Sequence, residues 1–398
     1  MDAINLQYDF LAPPRIVFGW GRRLEVGTLA AELGRRAFVV SGSRRLAADG
    51  LIDELTSALA NAGVAAVPLA EIHREPLVED VDCAAATLRD ERTGDGDFVL
   101  AIGGGSALDL AKAAAAMVTN GDGASVRDFL EGVGRGLSIE HPPLPLFAMP
   151  TTGGTGSEAT KNAVISSHDP TFKKSLRSDR MIARIVLVDP ELSVSVPPKV
   201  TAQTGMDAIT QLIESYISRR AQPIPRALAV GGLQRALPAI VEAVHDGTSR
   251  RAREAMAHAA LLSGMALANS GLGMAHGVAA ALGVVCDVPH GLACAIMLPA
   301  ALKANRGVAA CDFAELHWAT TDSRDRQLVG DVNAAADAFM NRIERICRDI
   351  GIPARLSEIS VRPDQIPALV RQSRGNSMSG NPREITDDEL TRMLTEVL

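Results

Sequence analysis

Five short, uniformly apolar segments in the first half of the chain constrain its fold more than any other feature. They span residues 37–41, 64–68, 98–102, 146–150 and 185–190. An apolar run of about five residues without polar alternation is typical of a strand buried on both faces. Helical patterns separate these runs, and strands that alternate with helices predict a parallel sheet covered by helices. We therefore expect an α/β domain.

The second half has a different character, with long Ala- and Leu-rich segments and few β-branched runs. Three of these segments span residues 205–218, 224–244 and 253–268. Each favours a helix. The pattern changes at Pro197 and Pro198, so we place the domain boundary there. The expected organisation is an α/β domain over residues 1–198, followed by an all-α domain over residues 199–398.

Composition argues against two classes of partner. The formal net charge is -7, and aromatic residues make up 3% of the chain. Nucleic-acid binding relies on a basic face and on aromatic stacking, so we expect no nucleic-acid partner. The five cysteines form no CxxC pair, and the N-terminus lacks the pattern of a secretory signal. Both observations favour a reducing, cytoplasmic location.

A long uncharged stretch resembles a membrane span by length alone. No charged residue occurs from 255 to 286, and none between Asp287 and Lys303. Eighteen or more apolar residues would indicate a transmembrane helix. The stretch also contains His258, Asn269 and His276, which favours buried helices of a globular protein. We expect no membrane association, and we regard the stretch as a candidate site lining.

Two glycine-rich loops follow predicted strands. The first contains Gly103, Gly104, Gly105 and Ser106 and opens a helix, where backbone amides can bind an anion. It is neither a GxGxxG nor a GK[ST] motif, which excludes a P-loop. Alone, it is equally compatible with a tight turn in which Ser106 caps the helix.

The second loop combines three glycines with four hydroxyl groups within residues 151–157. The hydroxyls belong to Thr151, Thr152, Thr155 and Ser157. The alternative interpretation is a helix cap formed by Thr155 or Ser157. Ligands of open α/β sheets bind beyond the carboxyl ends of the strands, and both loops lie at such ends. Together they favour nucleotide binding.

Four residues of the second half are candidate metal ligands. Asp207 and Gln211 are four residues apart on a predicted helix, so their side chains lie on one face. His276 lies in the uncharged stretch, and His290 follows Pro289. Two imidazoles and one carboxylate would suit Fe²⁺ or another divalent metal. From spacing alone, histidines that are hydrogen-bonded within the core remain the commoner alternative.

Four segments carry a family resemblance. They are GGGSALDLAK, PTTGGTGSEAT, GMDAITQLIES and HGVAAALGVVCDVPHGLACAIMLP. In this order and spacing the chain resembles the group III, iron-dependent alcohol dehydrogenases, from about Arg15 to Pro299. The resemblance implies a Rossmann-like domain followed by a helical domain, the dehydroquinate synthase-like architecture, with the active site between them. It also implies hydride transfer between a nicotinamide and a small alcohol or aldehyde whose oxygen a divalent metal polarises.

The resemblance assigns roles to individual residues. Gly104, Gly105 and Ser106, next to Gly103, would bind the pyrophosphate, and Thr151, Thr152 and Thr155 would line the nucleotide. Asp207, Gln211, His276 and His290 occupy the metal positions, where Fe²⁺ or Zn²⁺ would bind. Lys174 lies near a cofactor-contacting lysine, although it is equally compatible with a solvated surface charge. A homodimer is expected, with an edge strand formed between Tyr8 and Phe18.

Two departures from the family pattern bear on the chemistry. Gln211 replaces a ligating histidine, and an amide oxygen is the weaker ligand. Ala280 replaces a histidine that helps to move protons beside the nicotinamide. These changes leave open a metal-free reductase like the maleylacetate reductases, or a non-catalytic nucleotide-binding protein. A lyase of the dehydroquinate synthase type is disfavoured because residues 255–302 contain no lysine or arginine.

The turn after the first predicted strand bears on the choice of nicotinamide. It contains Ser41, Gly42 and Ser43, followed by Arg44 and Arg45. NAD-preferring relatives carry an acidic residue where Gly42 stands, and a carboxylate there would repel a 2'-phosphate. Glycine leaves room, and the arginines add positive charge. We expect NADP(H) to be preferred, with NAD(H) possible; the alternative is that the arginines begin a solvated helix.

Overall fold

The computed structural model describes residues 7–42, 44–321 and 330–398. The candidate Ser43 lies outside the described residues, and the side chains of Arg44 and Arg45 are not described. Eight strands lie in the first half. They are β1 (Ile16–Phe18), β2 (Arg36–Gly42), β3 (Ala65–Ile72), β4 (Asp97–Gly103), β5 (Leu146–Pro150), β6 (Asn162–His168), β7 (Thr171–Arg177) and β8 (Ile185–Val188).

Six of these strands form one sheet in the order β1-β8-β5-β4-β2-β3, and every neighbouring pair is parallel. The predicted parallel sheet and its five strands are confirmed. Every residue of β4 and β5 is buried, which explains why their sequences do not alternate. The edge strand β1 is shorter than the expected segment, and Leu11 exchanges two backbone hydrogen bonds of 2.7 Å with the side chain of Asn269.

The antiparallel hairpin of β6 and β7 is absent from the sequence-based expectation. Both strands mix polar and apolar residues, because only one face is buried. Ala163, Ile165, Phe172 and Leu176 belong to the core on that face. The opposite face carries Lys173. The hairpin matters here because it brings that lysine to the helical half, close to Gly283.

Helices cover both faces of the sheet. They are α1 (Val26–Ala31), α2 (Arg44–Ala48), α3 (Leu51–Asn61), α4 (Val78–Asp90) and α5 (Gly105–Asn120). One face packs on α4 and α5 through Val81, Leu88 and Leu108, and the other packs on α3 through residues such as Leu55. Burial of these apolar surfaces fixes the direction in which each strand delivers its carboxyl end.

The second half is helical from Pro198 onward. Its helices are α6 (Pro198–Ile217), α7 (Pro223–His245), α8 (Arg250–Ser270), α9 (Met274–Cys286), α10 (His290–Thr320), α11 (Val332–Asp349), α12 (Ile366–Gln372), α13 (Asn376–Ser379) and α14 (Asp387–Glu396). The three predicted helices are confirmed as α6, α7 and α8. A helical domain therefore follows the sheet.

Among the described residues, one helix, α7, is long and apolar enough to cross a membrane. The pair α8 and α9 would add a second span only if its two helices, which are bent by 100°, formed one span. Length and composition of this kind are also typical of core helices in globular proteins. Leu233 and Ile240 of α7 are fully buried in the helical core. The bend places the N-terminus of α9, with His276, against α6.

Candidate functional site

The first glycine loop is a tight junction between β4 and α5. A Cβ atom on Gly103 would lie 2.8 Å from Cβ of Ala107 and 2.9 Å from Cα of Gly42. Only glycine permits this approach. The cap position of α5 is Gly104, so Ser106 lies within the first turn. The N-terminus of α5 therefore presents backbone amides at the end of β4, as an anion site requires.

The second loop lies directly over the first. The backbone amide of Thr151 donates to the carbonyl of Gly103 over 3.0 Å. A Cβ atom on Gly105 would lie 2.9 Å from Cγ2 of Thr155, and one on Gly104 would lie 3.5 Å from both Cγ2 and Oγ1 of Thr152. The structure thus brings the two candidate nucleotide loops together.

A buried ionic pair on α5 holds the second loop in place. Nζ of Lys112 donates to the carbonyls of Ser157 and Asn162 over 2.7 and 2.6 Å, and to Oγ1 of Thr160 over 2.8 Å. Asp109 accepts from the hydroxyl of Ser157. Burial lowers the pKa of Lys112 to about 8. Sequence reasoning assigned these residues no role, although two charges in an Ala-rich helix are a usable signal.

The same loop also contacts the helical half. A Cβ atom on Gly154 would lie 2.4 Å from Cβ of Thr204 on α6, and one on Gly156 would lie 2.5 Å from the backbone nitrogen of Gly264 on α8. The loop is therefore packed between the sheet and the helical domain, next to α6 and α8.

Four buried or partly buried donors meet beside this contact. Asp207 on α6, His276 on α9, and His290 and Cys294 on α10 each place one possible metal-ligating atom within 4.8 Å of the others. Nε2 of His276 lies 3.2 Å from Oδ1 of Asp207, and Nε2 of His290 lies 3.9 Å from the same oxygen. Asp207, His276 and His290, three of the four candidates singled out in the sequence, are therefore adjacent. The thiol was missed, although its spacing of four from His290 on one helix could have indicated it.

A second carboxylate orients His276. Oε2 of Glu214 lies 2.7 Å from Nδ1 of His276, and Glu214 accepts from the amides of Gly273 and Ala275 at the start of α9. A metal-ligating histidine usually donates its other ring nitrogen to such a group. Sequence reasoning missed Glu214, but Asp207, Gln211 and Glu214 recur at positions i, i+4 and i+7 of α6.

The position of His276 favours a cation between its Nε2 atom and Asp207. With the Nδ1 proton directed to Glu214, the Nε2 lone pair faces the Asp207 oxygen, and two acceptors 3.2 Å apart repel unless a proton or a metal ion lies between them. Burial alone would lower the pKa of His276, but Cys294 and the carboxylates of Asp207 and Glu214 raise it well above 6.5. Burial lowers the pKa of His290 to about 4, so its ring is neutral at pH 7. The donor set therefore fits a divalent metal.

Gln211 is connected to both halves of the molecule. Its amide nitrogen donates to Oδ1 of Asp207 and to the carbonyl of Thr155, each over 3.2 Å, and its oxygen accepts from the hydroxyl of Ser263 over 2.7 Å. An amide nitrogen has no lone pair to give to a metal. In this arrangement Gln211 supports Asp207 and anchors the nucleotide loop.

Lys173, and not the expected Lys174, lies close to the donor cluster. Lys174 pairs with the core residue Ile165 in the hairpin, and adjacent strand residues point to opposite faces. Lys173 forms an ion pair with Glu75. Its Nζ would lie 3.8 Å from a Cβ atom on Gly283 of α9, and its charge affects the pKa values of Asp109 and His290. Lys173 therefore lies between the nucleotide loops and the donor cluster.

Two further positions, Gly42 and Ala280, carry no polar or titratable side chain. A Cβ atom on Gly42 would lie 3.1 Å from Cα of Gly103 and 3.2 Å from Cβ of Ala107. Ser41, its partly buried neighbour, ends β2 with it. Ala280 lies one turn beyond His276 on α9 and carries no titratable group.

Comparison with known proteins gives a consistent result. The family model for iron-containing alcohol dehydrogenases matches residues 13–190, and that for the C-terminal part of the same family matches residues 201–398. Long-chain-alcohol dehydrogenase 1 of Geobacillus thermodenitrificans (strain NG80-2) is 34% identical over 91% of this chain and 89% of its own length. The 1,3-propanediol dehydrogenase of Citrobacter freundii is 31% identical over 98% of each chain.

A solved structure agrees with these matches. Alcohol dehydrogenase from Oenococcus oeni is 30% identical and superposes with a TM-score of 0.90, over 98% of this chain and 100% of that one. The chain belongs to the iron-containing alcohol dehydrogenase family. It is an oxidoreductase that acts on the CH–OH group of alcohols and on the corresponding aldehydes.

Proposed function

We propose that this enzyme transfers hydride between a nicotinamide nucleotide held by the two glycine-rich loops and a small alcohol or carbonyl compound held at Asp207, His276 and His290. The observation that carries the proposal is the contact between the second glycine-rich loop and the donor cluster. The nucleotide loop is hydrogen-bonded through Gln211 to the ligand Asp207. A substrate at the cluster would therefore lie beside the nucleotide.

The helical residues prepare the substrate end. A divalent metal bound there, Fe²⁺ or Zn²⁺, would act as a Lewis acid on the substrate oxygen. Glu214 holds the Nδ1 proton of His276, which leaves Nε2 free to ligate. About a third of the His290 side chain is accessible (32%), whereas Asp207 is 3% accessible. The substrate would therefore approach from the side of His290. Gln211 acts as a positioning residue for Asp207.

The loops of the α/β half prepare the nucleotide end. Backbone amides of Gly103, Gly104, Gly105 and Ser106 would bind the pyrophosphate, and Thr151, Thr152 and Thr155 would line the nucleotide. We assign the cofactor-contacting lysine to Lys173 instead of Lys174, since Lys173 faces the cleft. Its charge would lie between a pyrophosphate at α5 and the substrate at α10.

We also propose that NADP(H) is preferred. Gly42, between Ser41 and Ser43, provides no carboxylate to repel a 2'-phosphate. Replacing Gly42 by Asp should shift the ratio of kcat/KM toward NADH. The matched control is Gly42→Asn, which crowds Gly103 equally but carries no charge. A wild-type enzyme that oxidises NADH clearly better than NADPH would contradict the proposal.

We also propose that the enzyme is a cytoplasmic homodimer. The short strand β1 lies at one edge of the sheet and leaves that edge open for pairing across a two-fold axis. All five cysteines are free, as a reducing compartment would keep them. Light scattering after gel filtration should give twice the chain mass; the mass of a single chain would contradict the dimer.

The metal requirement is tested by purifying the protein without chelator. Metal content and aldehyde reduction with NADPH are measured before stripping, after stripping and after reloading with Fe²⁺ or Zn²⁺. We expect activity to follow occupancy. Full activity after stripping would support the metal-free reductase instead, a possibility that the amide at Gln211 keeps open. Saturable nucleotide binding without turnover on any aldehyde would indicate a non-catalytic protein.

A further inference from the structure

Cys294 belongs to the donor cluster, but the proposed function gives it no role. It lies one turn after His290 on α10, and its Sγ lies 3.6 Å from Nε2 of His290. Its side chain is completely buried. Buried cysteines usually pack as small apolar residues. This sulfur instead lies within 4.8 Å of ligating atoms of Asp207, His276 and His290.

The spacing of the four atoms suits a single ion. Bonds of about 2.0–2.3 Å to nitrogen, oxygen and sulfur define a tetrahedron whose edges are roughly 3.3–3.7 Å. The measured separations are 3.2 Å between Asp207 and His276, 3.9 Å between Asp207 and His290, and 3.6 Å between His290 and Cys294. Shifts of a few tenths of an ångström would make these three edges fit, and all four atoms lie within 4.8 Å of one another.

Gln211 stands where the family pattern has the fourth metal ligand, a histidine. Gln211 directs its amide nitrogen at Asp207, and its oxygen accepts a hydrogen bond from Ser263. The loss of an imidazole at this point would leave three protein ligands. The thiol of Cys294 approaches the same cluster from α10 and can supply the missing donor.

We propose that Cys294 is the fourth protein ligand of the metal, bound as a thiolate in place of the side chain at position 211, so that the substrate oxygen would add as a fifth ligand. The inference rests on the proposed function, because it requires a metal at Asp207, His276 and His290. On binding, the sulfur–metal bond forms, the S–H proton passes to solvent, and no oxidation state changes. A thiolate shifts the preference of the site from iron toward softer or borderline ions such as Zn²⁺ and Co²⁺.

The test uses the full-length protein, stripped and loaded with one equivalent of Co²⁺. Thiolate coordination gives an intense charge-transfer absorption in the near ultraviolet, separate from the weak visible bands of Co²⁺. We expect both in the wild type. Cys294→Ser and Cys294→Ala should lose the near-ultraviolet band. Cys311→Ser is the matched control, because Cys311 is an exposed thiol further along the same helix, and it should keep the band.

The affinity for Zn²⁺, measured by competition with a chelator, provides the second readout. Loss of the thiolate should weaken binding about tenfold or more. A wild-type protein that gives visible Co²⁺ bands without the near-ultraviolet band would overturn the role of Cys294 and leave the proposed metal site intact. Failure of the wild type to bind Co²⁺ or Zn²⁺ at all would overturn both. The wild-type spectrum decides the matter even if a Cys294 variant does not fold.

Discussion

The two halves of the molecule contribute different chemical groups to the candidate site. The α/β half contributes backbone amides and small side chains from two loops, which meet because parallel strands end at one edge of the sheet. The helical half contributes buried ionisable side chains from three helices, Asp207 on α6, His276 on α9 and His290 on α10. The α/β half therefore depends on a close steric fit, whereas the helical half depends on charged and metal-ligating side chains.

This difference predicts how each half responds to substitution. The glycine loops leave no room for added atoms, so a change in volume should damage nucleotide binding. The donor cluster depends on buried groups of opposite charge. A substitution that removes a charge but conserves the shape of the side chain should therefore weaken metal binding. Because the glycine loops and the donor cluster consist of separate residues, each kind of damage should remain largely within its own half.

The largest effect is expected for Asp207→Asn, which keeps the shape and removes the charge. The site then loses the carboxylate that opposes two imidazoles, and with it the metal that would stabilise charge on the substrate oxygen. We expect kcat/KM to fall about a thousandfold. Nucleotide affinity, measured by calorimetry, should stay within a factor of about two. A parallel loss of nucleotide binding would break the proposed separation between the halves.

A smaller effect is expected for Glu214→Gln, which acts on the metal through His276. The amide can keep one contact to the N-terminus of α9 but no longer accepts strongly from Nδ1 of His276. Metal affinity should fall roughly 10- to 100-fold, measured by chelator competition. Glu254→Gln, at an exposed ion pair on α8, is the control and should bind metal normally. Equal affinity in both variants would mean that Glu214 only caps α9.

In the α/β half, Gly105→Ala tests the role of shape. The new methyl group would lie 2.9 Å from Cγ2 of Thr155, which should push the two loops apart. We expect the dissociation constant of NADPH to rise about tenfold, a cost of about 1.4 kcal/mol, while the bound metal is retained. Gly307→Ala adds the same methyl group on α10, where nothing lies within 4 Å, and should bind NADPH normally. Loss of metal in Gly105→Ala would contradict the separation.

The sequence predicted the α/β half well because its signals are local. Each buried strand and the glycine loop after it are contiguous in the chain, and a parallel sheet brings such loops together without further information. The hairpin of β6 and β7 was missed since its one-sided burial gives a mixed pattern. The choice between Lys173 and Lys174 depends on the same hairpin, because only its pairing reveals which lysine lies on the face opposite the core.

In the helical half, Asp207, His276 and His290 came from a family resemblance, and spacing alone left them undecided. Their convergence depends on the 100° bend between α8 and α9 and on packing between helices. Neither is encoded within a short window of sequence. Glu214 and Cys294 have helical spacing from known candidates, but such spacing is common and carries meaning only once the helices are placed. Three members of the candidate site were therefore available from the resemblance, whereas Glu214 and Cys294 required the structure.

The smallest effect on activity is expected at Glu158, a buried carboxyl group in the second loop, where charge enters the half that is otherwise governed by shape. Burial raises its pKa from 4.5 to about 7. The folded protein then binds the proton more tightly than the unfolded chain, so wild-type stability falls as the pH rises through 7. Glu158→Gln removes this dependence. We expect its free energy of unfolding to exceed that of the wild type by roughly 1–3 kcal/mol at pH 8 and by much less at pH 5. Urea denaturation at the two pH values measures the difference, and an equal difference at both would show that the carboxyl group is ionised in the fold and balanced by Lys112.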